Sequence, residues 1–416
     1  MGQLFSHMPK DEDKGNLESS FTEYFRNYKQ ETKIISEETT RSIELCLKRG
    51  DFQRANSVIS DALKNIDNTP INIAVTGESG AGKSSLINAL REVKAEEESA
   101  AEVGVTETTM KVSSYKHPKV KNLTLDLPGI GTTAFQPKDY LEKVEFKKYD
   151  FFIIVSATRF TKQELDLAEA IRIMKKNYYF VRSKVDCDLD NEKKSKPHNF
   201  NRENTLNQVR NSYLDTFRES KIDEPQVFLI SNHDLSDYDF PVLMDTLLKD
   251  LPAEKRHNFL LSLPNITEAA IQKKDNSPKQ YIWLQAMKDG LLATVPAVGV
   301  LKDLDKERLK RSLDYYRDLF GVDDESLMFM AKDAQVPVEL LKKNLKSPNL
   351  LKCKEETLEE LLLNCVEKFA SANGGLLAAG LYFRKTYYLQ FHFLDTVAED
   401  AKVLLKAAQT HFAHSF

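Results

Sequence analysis

One octapeptide limits what this chain can fold into: Gly77-Glu78-Ser79-Gly80-Ala81-Gly82-Lys83-Ser84. Its spacing, G-x-x-x-x-G-K-[ST], is that of a loop that wraps nucleotide phosphates. Such a loop works only between a strand and a helix, and both flanks are present. Ile71–Thr76 reads as a buried strand, and Ser85–Leu90 as the first turns of a helix. The glycines let successive backbone N–H groups converge on an anion with no Cβ in the way. The helix N-terminus adds its partial positive charge. Gly77, Glu78, Ser79, Gly80, Ala81, Gly82, Lys83, Ser84 and Ser85 are therefore the expected phosphate-binding set. In it, Lys83 bridges the outer phosphates and the Ser84 hydroxyl binds Mg²⁺.

Three later segments follow in the order a nucleotide site requires. Asp126-Leu127-Pro128-Gly129 comes directly after a strand, placing Asp126 for a water-mediated Mg²⁺ contact and the Gly129 N–H for the terminal phosphate. Ser183-Lys184-Val185-Asp186 resembles the guanine-reading pattern [NT]-K-x-D, with serine in place of asparagine or threonine. One carboxylate, that of Asp186, accepts two hydrogen bonds from guanine, and adenine offers no matching pair of donors. The methylenes of Lys184 are placed to lie over the base. Ser231-Asn232 stands where a backbone N–H reaches the guanine carbonyl. The bound nucleotides are thus GTP and GDP, with Ser183, Lys184, Asp186, Ser231 and Asn232 on the base side.

Two positions bear on catalysis. A switch threonine has to close over Mg²⁺ and the terminal phosphate. Thr109 is the first choice, Thr108 and Thr106 are the alternatives, and Gly104 is the hinge. Ile130 stands where many small GTPases place the glutamine that orients the attacking water. Glu78 is the candidate replacement, in its own site or across a dimer. The expected catalytic residues are Glu78, Lys83 and Thr109.

The helical pattern before the loop and the return of helices after it divide the 416 residues. Residues 1–69 read as all-α, with Phe21, Tyr24, Phe25 and Tyr28 on one face and a cap at Ser36-Glu37-Glu38-Thr39. Residues 70–253 alternate strand and helix, the mark of a mostly parallel sheet covered on both faces. Candidate strands are 71–76, 110–115, 121–126, 151–156, 178–183 and 226–231, and candidate helices are 84–92, 161–176 and 201–219. Residues 254–416 are helical again, with breaks expected at Pro264, Pro278, Pro296, Pro337 and Pro348. Trp283, the lone tryptophan, reads as core packing.

Lys and Arg number 59 against 63 Asp and Glu, so no bulk nucleic-acid partner is expected. Four scattered cysteines point to free thiols in a reducing compartment. No apolar run is long enough to span a bilayer, and no secretory leader is visible. Met1-Gly2-Gln3-Leu4-Phe5-Ser6 fits the N-myristoylation pattern, with Gly2 as the acceptor. A single acyl chain binds membranes weakly, so a second signal is required. The apolar positions at Leu358–Leu363, Gly374–Leu381, Tyr387, Tyr388, Phe391 and Phe393 suit either a bilayer or a helix bundle. Their weakly basic polar faces favour the bundle.

Taken together these residues resemble the interferon-inducible immunity-related GTPase family over essentially the whole chain. The resemblance rests on Gly2-Gln3-Leu4-Phe5, Gly82-Lys83-Ser84 and Asp126-Leu127-Pro128-Gly129-Ile130-Gly131. It also rests on Asp150-Phe151-Phe152-Ile153-Ile154, Ser156-Ala157-Thr158-Arg159-Phe160 and Lys255-Arg256-His257-Asn258-Phe259. Lys83 places the chain with the G-K-S class rather than the regulatory class that has methionine there. The resemblance implies an α/β plus all-α fold: a Ras-like P-loop GTPase domain inserted in a helical domain built from both chain ends. It implies GTP hydrolysis with Mg²⁺ and GTP-dependent self-association through the GTPase domains. It implies restraint by regulatory G-M-S relatives, and action on the membranes of pathogens or their vacuoles from a cytoplasmic, reversibly membrane-bound pool. Myristate on Gly2 and a C-terminal helix in membrane contact follow from the same source. Val103 departs from relatives that carry a switch threonine there, which leaves the assembly contacts open.

Overall fold

The computed structural model describes residues 17–26, 28–103, 113–127, 141–142, 145–220, 225–293, 306–350 and 380–413. They form two compact units. One is helical and uses both ends of the chain: residues up to Thr69, then Pro252–Leu261 and Asn265 onward. The other is α/β and runs Pro70–Leu251 with Ser262–Pro264.

In the helical unit, α1 (Leu17–Arg26) carries the aromatic face expected of it. Helix α2 (Glu37–Lys48) starts where Ser36 accepts the Thr39 N–H, with Glu37 and Glu38 favoured beside the positive end of the helix dipole. Gly50, in the left-handed region at φ 71°, turns the chain into α3 (Phe52–Asn68), which is capped by Asp51. Phe21, Phe25, Ile43, Ile59 and Leu63 bury together against Leu284, Met287 and Leu291. Trp283 stacks on Tyr24 with ring centroids 4.8 Å apart, so it does pack the core.

In the α/β unit, strand β1 (Ile71–Gly77) leads through the phosphate loop into α4 (Lys83–Leu90). Then follow β2 (Ser113–Lys116), β3 (Leu123–Leu127), β4 (Phe151–Ser156), α5 (Lys162–Ile173) and β5 (Asn177–Arg182). After these come α6 (Val185–Ser195), α7 (Arg202–Glu219), β6 (Val227–Leu229) and α8 (Phe240–Asp250). Among the described residues the sheet order is β2-β3-β1-β4-β5-β6, with β2 antiparallel to β3 and the other pairings parallel. This is the mostly parallel sheet read from the sequence, and β1 and β4 are buried almost throughout, as central parallel strands require. Helices α6 and α8 were missed in the sequence. Helix α6 is short and strongly polar, so periodicity does not mark it, whereas α8 buries Phe240, Leu243, Met244, Leu247 and Leu248 at helical spacing, a signal the sequence does carry.

The remaining helices are α9 (Ala253–Leu261), α10 (Glu268–Ala293), α11 (Lys306–Leu319), α12 (Asp324–Asp333), α13 (Val338–Lys343) and α14 (Gly380–Ala413). Helix α10 corrects one expectation: Pro278 breaks nothing and lies inside 26 helical residues. Helix α10 packs on both α3 and α14, and that burial outweighs the hydrogen bond proline removes. Its buried Gln280 is bonded through both atoms of its amide. Gln280 accepts from the Ile34 N–H at 3.3 Å and donates to the Thr32 carbonyl at 2.9 Å. Lys279 lies between Asp275 and Asp395 at 2.6 and 2.5 Å. The expected helical pair between Phe320 and Lys343 is α12 and α13. Phe393 on α14 is buried beside Leu389, Leu394 and Val397, so it packs the bundle. The amphipathic stretch at 358–363 lies outside the described residues.

Candidate nucleotide site

Strands β1, β3, β5 and β6 are mutually aligned in the sheet, so their carboxyl ends share one edge. There the chain delivers the phosphate loop, Asp126, the segment 183–186 and Ser231-Asn232. Ligands of open α/β sheets bind beyond that edge. The tertiary fold thus gathers four segments separated by up to about 150 residues.

The loop's conformation explains its glycines. Gly77 has φ 138°, and a Cβ there would stand 2.0 Å from the Val155 carbonyl oxygen on the neighbouring strand. Gly80 has φ 74° with open space around it. Gly82 has φ 88° and caps α4 in the left-handed region, where a Cβ would press Asn232 Nδ2 at 3.2 Å and Ser183 Oγ at 3.3 Å.

Glu78, Ser79 and Gly80 are exposed at the tip, while Ala81 and Lys83 are buried. The Lys83 ammonium folds back over the loop and donates to the Glu78 carbonyl at 2.6 Å. The Ala81 N–H reaches the same carbonyl at 3.3 Å. Ser84 and Ser85, both half-buried, stand in the first turn of α4.

Two side chains assigned to base recognition hold the phosphate loop. Ser183 is fully buried, and its hydroxyl donates to the Ala81 carbonyl at 2.6 Å. Asn232 Nδ2 donates to the Gly82 carbonyl at 3.1 Å, while its Oδ1 is buried with no hydrogen-bond partner. Lys184 adopts φ 59° and keeps its side chain exposed. Asp186 follows it in the first turn of α6, half-buried, with Oδ1 lacking a partner. Ser231 is fully buried and accepts the His233 N–H at 3.2 Å. Arg182 braces this segment: it donates to the Ser183 carbonyl at 2.8 Å and pairs with Asp188 on α6. Arg182 carried no motif, and only its burial beside the segment reveals it.

Asp126, the residue expected to face a cation, is buried at the end of β3. Its Oδ2 takes the Tyr149 hydroxyl at 2.7 Å and the Lys148 ammonium at 2.9 Å. Its Oδ1 is buried without a hydrogen-bond partner, leaving one acceptor free for a cation's water. Thr109 with its alternatives Thr106 and Thr108, Gly129 with Ile130, and Gly2 lie outside the described residues.

A fully buried acid, Glu164, also reaches the loop. It sits in the first turn of α5, and Oε1 accepts the Glu78 N–H at 3.2 Å. Burial pushes its carboxyl up to about 7. Its sequence signal, Thr161-x-x-Glu164, marks a capping box and says nothing of the loop.

Comparison with known proteins accords with this geometry. Residues 36–408 match the family described as Interferon-inducible GTPase. Interferon-inducible GTPase 1 of Mus musculus is 50% identical over 408 residues, 98% of each chain. Interferon-gamma-inducible GTPase 10 of Mus musculus is 50% identical over 393 residues, 94% of each chain. T-cell-specific guanine nucleotide triphosphate-binding protein 2 of Mus musculus is 49% identical over 391 residues, again 94% of each. Such similarity over nearly the full length covers both the nucleotide edge and the helical unit, and the chain belongs to the interferon-inducible GTPase family, whose reaction is the hydrolysis of GTP.

Proposed function

We propose that this GTPase completes its catalytic site by associating with a second copy of itself through the GTPase domains. The observation that carries the reading is the placement of Glu78. Its main chain is pinned within the loop while its side chain stands exposed at the tip, open to a partner. Ile130, at the position of a water-orienting glutamine, supplies the need. Gly77–Ser85 and Gly129 form the phosphate side, and Ser183, Lys184, Asp186, Ser231 and Asn232 form the base side. Asp126 and Ser84, with Thr109, are the residues that would hold Mg²⁺. The free acceptor on Asp126 supports that assignment. When bound, the ion would neutralise charge developing between the outer phosphates.

The test is the specific GTPase rate as a function of protein concentration, with light scattering in GTP and in GDP. A rate per molecule that rises with concentration, together with GTP-dependent scattering, supports the proposal. A flat rate and a monomer in GTP overturn it and favour a switch that recruits effectors instead.

The reading extends to membranes. Gly2 acylation would tether a cytoplasmic pool reversibly to endomembranes and to the membranes of intracellular pathogens and their vacuoles, where assembly would disrupt them. Regulatory G-M-S relatives would restrain it elsewhere. Support comes from the Gly2 motif and from family membership. No described helix is long and apolar enough to cross a bilayer. Loss of membrane pelleting in Gly2→Ala is the expected result, and unchanged pelleting refutes the tether.

A further inference from the structure

We propose that Glu164 is a positioning residue for GTP hydrolysis: through the main chain of Glu78 it sets where the Lys83 ammonium stands. The inference rests on the assignment of the phosphate loop made above.

The bland account of Glu164 is a helix cap, and half of it is one. Oε2 accepts the Thr161 N–H at 2.9 Å and the Thr161 hydroxyl at 3.2 Å, while the Thr161 side chain accepts the Glu164 N–H at 3.4 Å. A capping glutamate needs no more than that and usually lies at the surface. Here the side chain is 0% exposed, and Oε1 is committed outside its own helix, to a residue 86 positions earlier. Burying a carboxylate opposes folding, and helix capping does not require it.

What Oε1 holds explains the placement. Glu78 is fixed at both main-chain groups: its N–H by Glu164, its carbonyl by Lys83 Nζ at 2.6 Å and the Ala81 N–H at 3.3 Å. Its φ and ψ are thereby set, and the carbonyl that aims the ammonium cannot drift. Neighbouring donors converge on both carboxylate oxygens. An amide of the same shape would have to present its NH₂ to one of those donors, so glutamine is not a conservative replacement. The titratable groups facing Glu164 are Glu78 on the loop and Tyr213 on α7, neither of them cationic.

The experiment compares wild type with Glu164→Gln, Thr161→Ala and Lys83→Ala, measuring Tm, affinity for a fluorescent GTP analogue, and kcat and KM against pH. For Glu164→Gln, kcat/KM is expected to fall about 10- to 100-fold with only a modest change in Tm, because loss of the buried charge offsets the mismatched amide. The wild-type profile should carry an acid limb near pH 7 that the variant lacks. Thr161→Ala should lower Tm and leave kinetics near wild type. A Glu164→Gln protein with wild-type kcat/KM and an unchanged pH profile overturns the proposal, whatever its Tm. Should that variant not fold, the wild-type profile decides, since the absence of an acid limb overturns the proposal equally. Retention of nucleotide binding in Lys83→Ala would instead refute the loop assignment itself.

Discussion

The Ser183 hydroxyl donates a 2.6 Å hydrogen bond to the carbonyl of Ala81, joining the segment proposed to read the base to the loop proposed to hold the phosphates. Both residues are buried, so the bond is not exchangeable for water. Ser183→Ala strands the Ala81 carbonyl at a cost of about 1–3 kcal/mol. GTP and GDP affinities should fall together, by about tenfold, because both ligands use the loop. Fluorescence titration with each nucleotide checks this, and a loss confined to one of them would contradict it.

Gly77 and Gly80 both have positive φ, yet they should respond differently to alanine. At Gly80 the added Cβ meets open space, leaving only the left-handed backbone penalty of about 1–2 kcal/mol. At Gly77 the Cβ would meet a backbone oxygen at 2.0 Å that cannot move without distorting β4. A loss above about 4 kcal/mol, enough to prevent stable folding, is expected there. Denaturant unfolding of the two variants gives the order directly.

Asp186→Asn should convert the base preference. The amide reverses one hydrogen bond, so guanine's donors lose an acceptor and the carbonyl of xanthine gains a donor. The ratio of GTP to XTP affinity should shift on the order of 10⁴-fold. Competition between the two nucleotides measures it, and an unchanged ratio would remove Asp186 from the base site.

His257 in the helical unit and Glu164 in the α/β unit should contribute to acid stability with opposite signs. His257 is buried against Ser277, at 2.8 Å, and Tyr281, and burial lowers its pKa to about 4. The unfolded chain binds that proton below about pH 6.5 and the folded chain does not, so helical-unit stability is lost as pH falls through this window. The loss approaches about 3 kcal/mol near pH 4. Glu164 works the other way. Its folded pKa, raised to about 7, makes its contribution greatest at low pH and diminishing as pH rises from about 4.5 to 7. Trp283 is the lone tryptophan and lies in the helical unit, so its fluorescence reports that unit. Its unfolding midpoint should fall between pH 6.5 and 4, and His257→Gln should flatten the slope.

Legibility varied with how local the cause was. Ser36 at the start of α2 and the strand before Gly77 were readable because each rests on a residue's own backbone preference or on burial periodicity. Helix α6 was not, because eleven mostly polar residues carry no apolar stripe and its start is set by Lys184 at φ 59°. Pro278 misled because its local rule is real but weaker than the packing on both sides of α10.

The sequence by itself determined that a P-loop nucleotide domain interrupts a helical one. It also pointed to a guanine nucleotide, in accord with the family to which the chain belongs, because the pattern proposed to read the base demands particular residues at particular spacings. Tertiary structure alone decided what holds that loop in shape. Ser183, Asn232 and Glu164 reach its backbone from segments roughly 80 to 150 residues away. A hydrogen bond to a main-chain carbonyl or N–H places no demand on the identity of the residue that offers it, so it writes no motif at the loop.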